Sequence, residues 1–177
     1  SFLRCTPRQP SSSSSSSSHP EDSEDPIPDP SNSPLTFQLI PKSLYPQVSL
    51  LRLSIFPLPA VHHRHFLTRS LQLLTHRSAS YSSVVYGLVS ASGAIVSTAE
   101  LSFHEFPPTF SPSSRKGYVT EVLTRRSHRN RGHATALLAS VFVEAWSMGL
   151  DAVYLHVEGG NAGAIRAYEK AGMGRVQ

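Results

Sequence analysis

One hexapeptide constrains this chain more than any other stretch. Arg129-Asn130-Arg131-Gly132-His133-Ala134 stands between a run of strand character ending at Thr124 and a helical run beginning at Arg131. The first run, Gly117-Tyr118-Val119-Thr120-Glu121-Val122-Leu123-Thr124, is rich in β-branched and apolar residues and reads as a strand. In the second, Ala134, Leu137, Leu138, Val141, Phe142 and Ala145 recur at helical spacing on one face. A helix start leaves backbone N–H groups without partners and carries partial positive charge, so a strand, loop and helix in this order suit a pyrophosphate. Gly132 lets the backbone approach such a group because no Cβ intervenes, and Ala134 leaves similar room one step later.

The elements around this junction predict a mixed α/β fold. Downstream, Met148-Gly149 ends the helix, with Gly supplying a left-handed cap. The alternating run Ala152 to Val157 is a strand, and Asn161 to Ala171 is a helix with Asn161 as N-cap and Gly172 as stop. Strand, helix, strand, helix implies a parallel crossover. Upstream, Leu35 to Ile40 reads as a strand, and helices follow around Ser43 to Leu53 and His62 to Thr75, parted by Phe56-Pro57-Leu58-Pro59. Ser83 to Ser90 and Ala94 to Phe106 flank Ala91-Ser92-Gly93 as a hairpin, and the loop Pro107 to Ser114 leads to the Gly117 strand. The result is an antiparallel meander joined to a βαβα crossover, one domain over residues 35–177.

Residues 1–34 read differently. Eight serines from Ser11 to Ser18 and an acidic, Pro-punctuated stretch from Pro20 to Pro34 cannot bury enough apolar surface to offset their ordering entropy, so this head is expected to be disordered. Residues 1–19 are Ser-rich, carry two Arg and no acid, the composition of a transit peptide and equally of a plain disordered tail. The expected location is the plastid, with the cytoplasm as the alternative. The chain does not begin with Met, so a fragment or a processed form is also an expectation.

Charge narrows the partners. Arg4 and Arg8 stand against five acids in residues 1–35, a net −3 within a chain of +4, which leaves +7 on the remainder. A basic domain suits an anionic partner without choosing among cofactor, nucleic acid and acidic peptide. The lone cysteine, Cys5, offers neither a disulfide framework nor a Cys-rich zinc site, and His62-His63-Arg64-His65 lacks Cys or carboxylate neighbours at ligand spacing, so no metal is expected. No run approaches the roughly 20 apolar residues that cross a bilayer, and no membrane partner is expected.

The junction resembles the signature of the GNAT superfamily of N-acetyltransferases: Gln or Arg, two variable residues, Gly, one variable residue, then Gly or Ala. Arg129, Gly132 and Ala134 fill those places, and a second block of that family, an Asn, an Ala, a Tyr, a Gly and an apolar residue, is met in register by Asn161, Ala164, Tyr168, Gly172 and Met173. The resemblance implies acetyl-CoA as co-substrate, with its pyrophosphate on the amides of Arg129, Asn130, Arg131, Gly132, His133, Ala134 and Thr135. It places the pantetheine arm along Val122, Leu123 and Thr124, with Asn161 helping to hold it and the thioester where the parallel strands splay apart. A backbone N–H of the Gly117 strand would stabilise the developing oxyanion and Tyr168 would protonate the leaving thiolate. Glu121 is the nearest carboxylate to take a proton from an amine, with His104 and Glu105 as alternatives. The implied acceptor is a protein N-terminus or lysine, as in plant and algal members, with a small-molecule amine as runner-up.

Two rival readings remain at this level. The basic run Arg125 to Arg131 could bind nucleic acid, but it lacks the interleaved aromatics of a stacking platform, so a nucleic-acid partner is not expected. The family closes its sheet with two further strands, and after Gly172 only Met173-Gly174-Arg175-Val176-Gln177 follow, so the final strands are expected to be missing and the chain could be an inactive CoA-binding fragment.

Overall fold

A computed structural model describes residues 1–7, 34–56, 58–80, 83–103 and 115–176. Seven strands and four helices make up the described fold. They are β1 (Phe2–Cys5), β2 (Thr36–Leu39), α1 (Tyr45–Ile55), α2 (Ala60–Ser80), β3 (Val84–Val89), β4 (Ile95–Ser102), β5 (Lys116–Thr124), α3 (His133–Ser147), β6 (Ala152–His156), α4 (Ala162–Lys170) and β7 (Gly174–Arg175). One sheet holds all strands in the order β2-β3-β4-β5-β6-β1-β7, with β5 and β6 parallel and every other pair antiparallel. The meander and the crossover follow the sequence reading.

Helices cover both faces, which is why the central strands are buried almost throughout. Along β3, Val85 and Val89 pack on one side with Tyr45, Val48, Leu51 and Leu74 from α1 and α2. Tyr86 and Leu88 pack on the other with Leu137, Leu138, Val141 and Phe142 of α3. The period of two sends alternate side chains to opposite cores. The stripe of α3 that the sequence marks as apolar is the buried one, and each of its large side chains contributes roughly 1.5–3 kcal/mol of transfer free energy. Gly149 and Gly172 end α3 and α4 with φ of +75° and +102°, the left-handed conformation that the sequence reading assigns to Gly149.

The head departs from expectation. Residues 2–5 form a strand, with Leu3 fully buried and Cys5 nearly so, while Phe2 and Arg4 face outward. β1 pairs with β6 from Phe2↔His156 to Cys5↔Val153, and on its other edge Leu3 and Arg4 pair with Arg175 and Gly174. Arg4 also lies over the Tyr154 ring at 5.7 Å. Alternation of just two apolar residues is enough here because β6 and β7 supply a partner on each side. The expectation of a head lying wholly outside the fold is therefore corrected for these residues, while the rest of it, 8–33, lies outside the described residues. At the far end, the start of a closing strand is present as β7, and β1 occupies the place between it and β6.

Candidate active site

The parallel pairing of β5 with β6 runs from Lys116↔Ala152 to Val119↔Leu155 and stops there. The remainder of β5 keeps β4 on its other edge, as at Leu123↔Thr98 and Thr124↔Ser97. A cleft of about 510 Å³ lies along this end of β5. Val122, Leu123 and Thr124 form one wall, the turn residues Arg129, Asn130 and Gly132 and the first helical residues His133, Ala134 and Thr135 another, and Asn161 and Tyr168 the third. The two sequence blocks and the end of β5 single out these residues, whereas Arg131, exposed on the turn, and Gly172 and Met173 of the second block do not line the cleft.

The turn is held by backbone contacts. Arg129 Nε donates to the Thr124 carbonyl at 3.3 Å, Arg125 Nη2 to Ile95 O at 3.0 Å and Arg126 Nη2 to Ile55 O at 3.2 Å. Much of the basic run thus ties the loop to β4, β5 and the end of α1. Asn130 and Gly132 have φ of +60° and +78°. A Cβ on Gly132 would meet no atom within 4 Å, so the left-handed backbone, more than crowding, demands glycine in the protein itself. Gly132 is the N-cap of α3 and no side chain caps that helix, nor is there an acid in its first turn. The first amides of a 15-residue helix therefore face the cleft without a side-chain acceptor, a fit for an anion. His133, in the same turn, has its imidazole held below the usual histidine range by burial, with His128 and Arg131 adding to the effect.

The third wall is equally fixed. Asn161 caps α4, its Oδ1 accepting from the Ala164 amide at 3.1 Å, which leaves the Nδ2 donors for another partner. Thr135 Oγ1 donates to Ala167 O at 3.1 Å and so links the starts of α3 and α4's last turn. Tyr168 is 8% exposed, and burial raises its phenol above the ordinary tyrosine range, so the hydroxyl stays protonated throughout the neutral range.

Glu121 does not line this cleft. It sits at a bulge in β5, where pairing passes from Glu100↔Thr120 to Thr98↔Leu123, and has φ of +52°. Bulges re-aim side chains next to functional sites. Here the carboxylate points to α1, with Oε2 3.5 Å from Arg52 Nε, on the edge of a second cavity of about 510 Å³ beneath α2. Phe56 borders both cavities. His104 and Glu105 lie outside the described residues.

The sequence reading gave no role to Arg52, Arg77 or Glu100. Glu100 is 1% exposed and accepts from Arg52 at 3.1 Å, Arg77 at 3.5 Å and Ser83 Oγ at 2.9 Å. Arg52 is buried too, and donates to Ser70 Oγ at 3.4 Å. A charge among Val48, Leu51 and Ile55 in one helix, and another in the apolar run of β4, were the available signals. Buried charges survive only when paired, which makes each point to a partner.

A model of the acetyltransferase (GNAT) family matches residues 48–173, more than half of the chain. No curated protein sequence matches significantly. Solved structures share the fold at low identity. The aminoglycoside 6'-N-acetyltransferase AAC(6')-Ih of Acinetobacter baumannii is 14% identical with a TM-score of 0.62, over 81% of this chain and 92% of that one. A GCN5-related N-acetyltransferase of Ralstonia eutropha is 20% identical with a TM-score of 0.63, over 80% and 94%. A protein of Clostridium acetobutylicum described as a predicted acetyltransferase, solved with acetyl-CoA, is 19% identical with a TM-score of 0.57, over 80% and 91%.

Proposed function

The chain belongs to the GNAT acetyltransferase family, and on that premise we propose that it moves an acetyl group from acetyl-CoA to a primary amine of a protein or peptide, an N-terminus or a lysine. The observation that carries this reading is the meeting, in one cleft, of the uncapped start of α3, the end of β5 that runs free of β6, and the buried Tyr168 hydroxyl. Acetyl-CoA supplies the acyl group as a thioester. The amides of the first turn of α3 would hold its pyrophosphate, Val122 to Thr124 would line its arm, and Asn161 Nδ2 would donate to it. In this reading Glu121, which lines the second cavity beside Arg52, would take a proton from the incoming amine, and Tyr168 Oη would give one to the departing thiolate. An acceptor chain would enter by the second cavity, which Phe56, Leu58 and Leu73 line while each is more than a third exposed. A small-molecule acceptor is the second reading, favoured by the likeness to an aminoglycoside acetyltransferase.

Incubation with labelled acetyl-CoA and a panel of peptides and amines, read by mass spectrometry, tests the reading. Label on a peptide amine is the expected result, and label on none of the panel would overturn it. Gly132→Val should weaken CoA binding roughly 5- to 150-fold in calorimetry, because a β-branched residue resists the left-handed backbone that aims the amides. Undiminished affinity would sink the phosphate assignment.

A further inference from the structure

Two features of the second cavity, taken together, say what kind of amine it favours. The first is a lack of carboxylate. Between Asp29 and Glu100 the chain has no acidic residue, and this stretch includes all of α1 and α2. Among the described residues, the one carboxylate that lines the cavity is Glu121, and it is held by Arg52, which also pairs with the buried Glu100, where Arg77 is a second cation. The two negative charges are balanced by two guanidinium groups before any acceptor arrives.

The second is a cation with no such balance. His62, His65, Phe66, Arg69, Ser70 and Leu73 recur at helical spacing, and this stripe of α2 faces the cavity. Arg69 stands beside Ser70, which takes the Arg52 hydrogen bond, and no carboxylate pairs with Arg69 among the described residues. Apolar surface from Phe56, Leu58, Phe66 and Leu73 lies on the same cavity. Its walls thus offer Glu121 from β5, apolar surface, and a guanidinium on α2 that has no carboxylate partner among the described residues.

We infer that the acceptor is an amine joined through an apolar stretch to an anionic group, a carboxylate, which Arg69 selects. The inference rests on the acetyl-transfer reading above. It sets this cavity apart from one suited to a polycation, because a polyamine or an aminoglycoside would bring several positive charges against Arg69 where, among the described residues, the single lining carboxylate, Glu121, is already shared with Arg52. Two sources carry the required chemistry: a peptide with an acidic residue close to its N-terminus, and a free ω-amino acid.

The test is a set of matched acceptors assayed with acetyl-CoA on the full chain and on Arg69→Glu. One pair of peptides differs only by Glu or Gln at the third position, one pair of ω-amino acids only by free acid or carboxamide, and spermidine and kanamycin serve as polycations. The expected wild-type kcat/KM favours the acid over its amide by roughly fivefold in at least one pair, and Arg69→Glu brings that ratio to one or below. The pair that shows the effect identifies the source. Ratios near one in the wild type, a ratio unmoved by Arg69→Glu, or a polycation as the best acceptor would overturn the inference while leaving acetyl transfer intact. Transfer to no acceptor at all would overturn the acetyl-transfer reading and the inference with it.

Discussion

Tyr168→Phe should lower turnover by roughly 10²- to 10⁴-fold while acetyl-CoA binds almost as before. The argument runs from burial to chemistry. Tyr168 belongs to the core beneath α3 and α4, so its ring is packed and the Phe variant keeps that packing. What is removed is one hydroxyl on the wall of the cleft, held protonated by its buried setting. A raised pKa means that the proton stays on Oη through the neutral range and is lost only above the ordinary tyrosine range, so the acid form is present when a thiolate needs it. Turnover of the two proteins under saturating acetyl-CoA, with CoA affinity from calorimetry, separates acid from scaffold. Weakened affinity with unchanged turnover would remove Tyr168 from the chemistry.

Leu3→Ala should cost about 2–5 kcal/mol, a fall in Tm of roughly 4–20 °C for a chain of this size. Leu3 is 0% exposed and shares a core with Val153 and Leu155 of β6, so truncation leaves a cavity that the strands on either side of β1 are too constrained to close. Phe2, on the outward face of the same strand and 41% exposed, provides the comparison, and Phe2→Ala should shift Tm much less. Equal, small shifts for both would mean that β1 is not docked between β6 and β7.

How much of this was legible depended on whether the signal was local. The amphipathic face of α3, the Asn161 cap and the left-handed Gly149 are written within a turn or two of sequence, and each stands in the structure where the pattern puts it. The cleft follows from them, because two blocks in register fix where the start of α3 and Tyr168 meet. β1 was not legible. Its four residues carry two cycles of alternation beside a serine run, and what makes them a strand is pairing with residues some 150 positions away. The Arg52–Glu100–Arg77 cluster and the aim of Glu121 were hidden for the same reason: both depend on which helix lies over which strand, and the bulge that turns Glu121 toward α1 is a mismatch between β4 and β5 and not a property of either.

The position of β1 also sets the order in which the sheet can be assembled. Its partner β6 is synthesised about 150 residues later, which at ribosomal speed is a delay of roughly 8–30 s. Throughout that interval Leu3 lacks its β6 partner, and β6, once made, presents an open edge until β1 pairs with it. Contacts of such long sequence separation slow folding because the loop must close before any pairing repays its entropy. The meander and the α3 crossover, built from near neighbours, can form without it, so the docking of β1 falls late in folding.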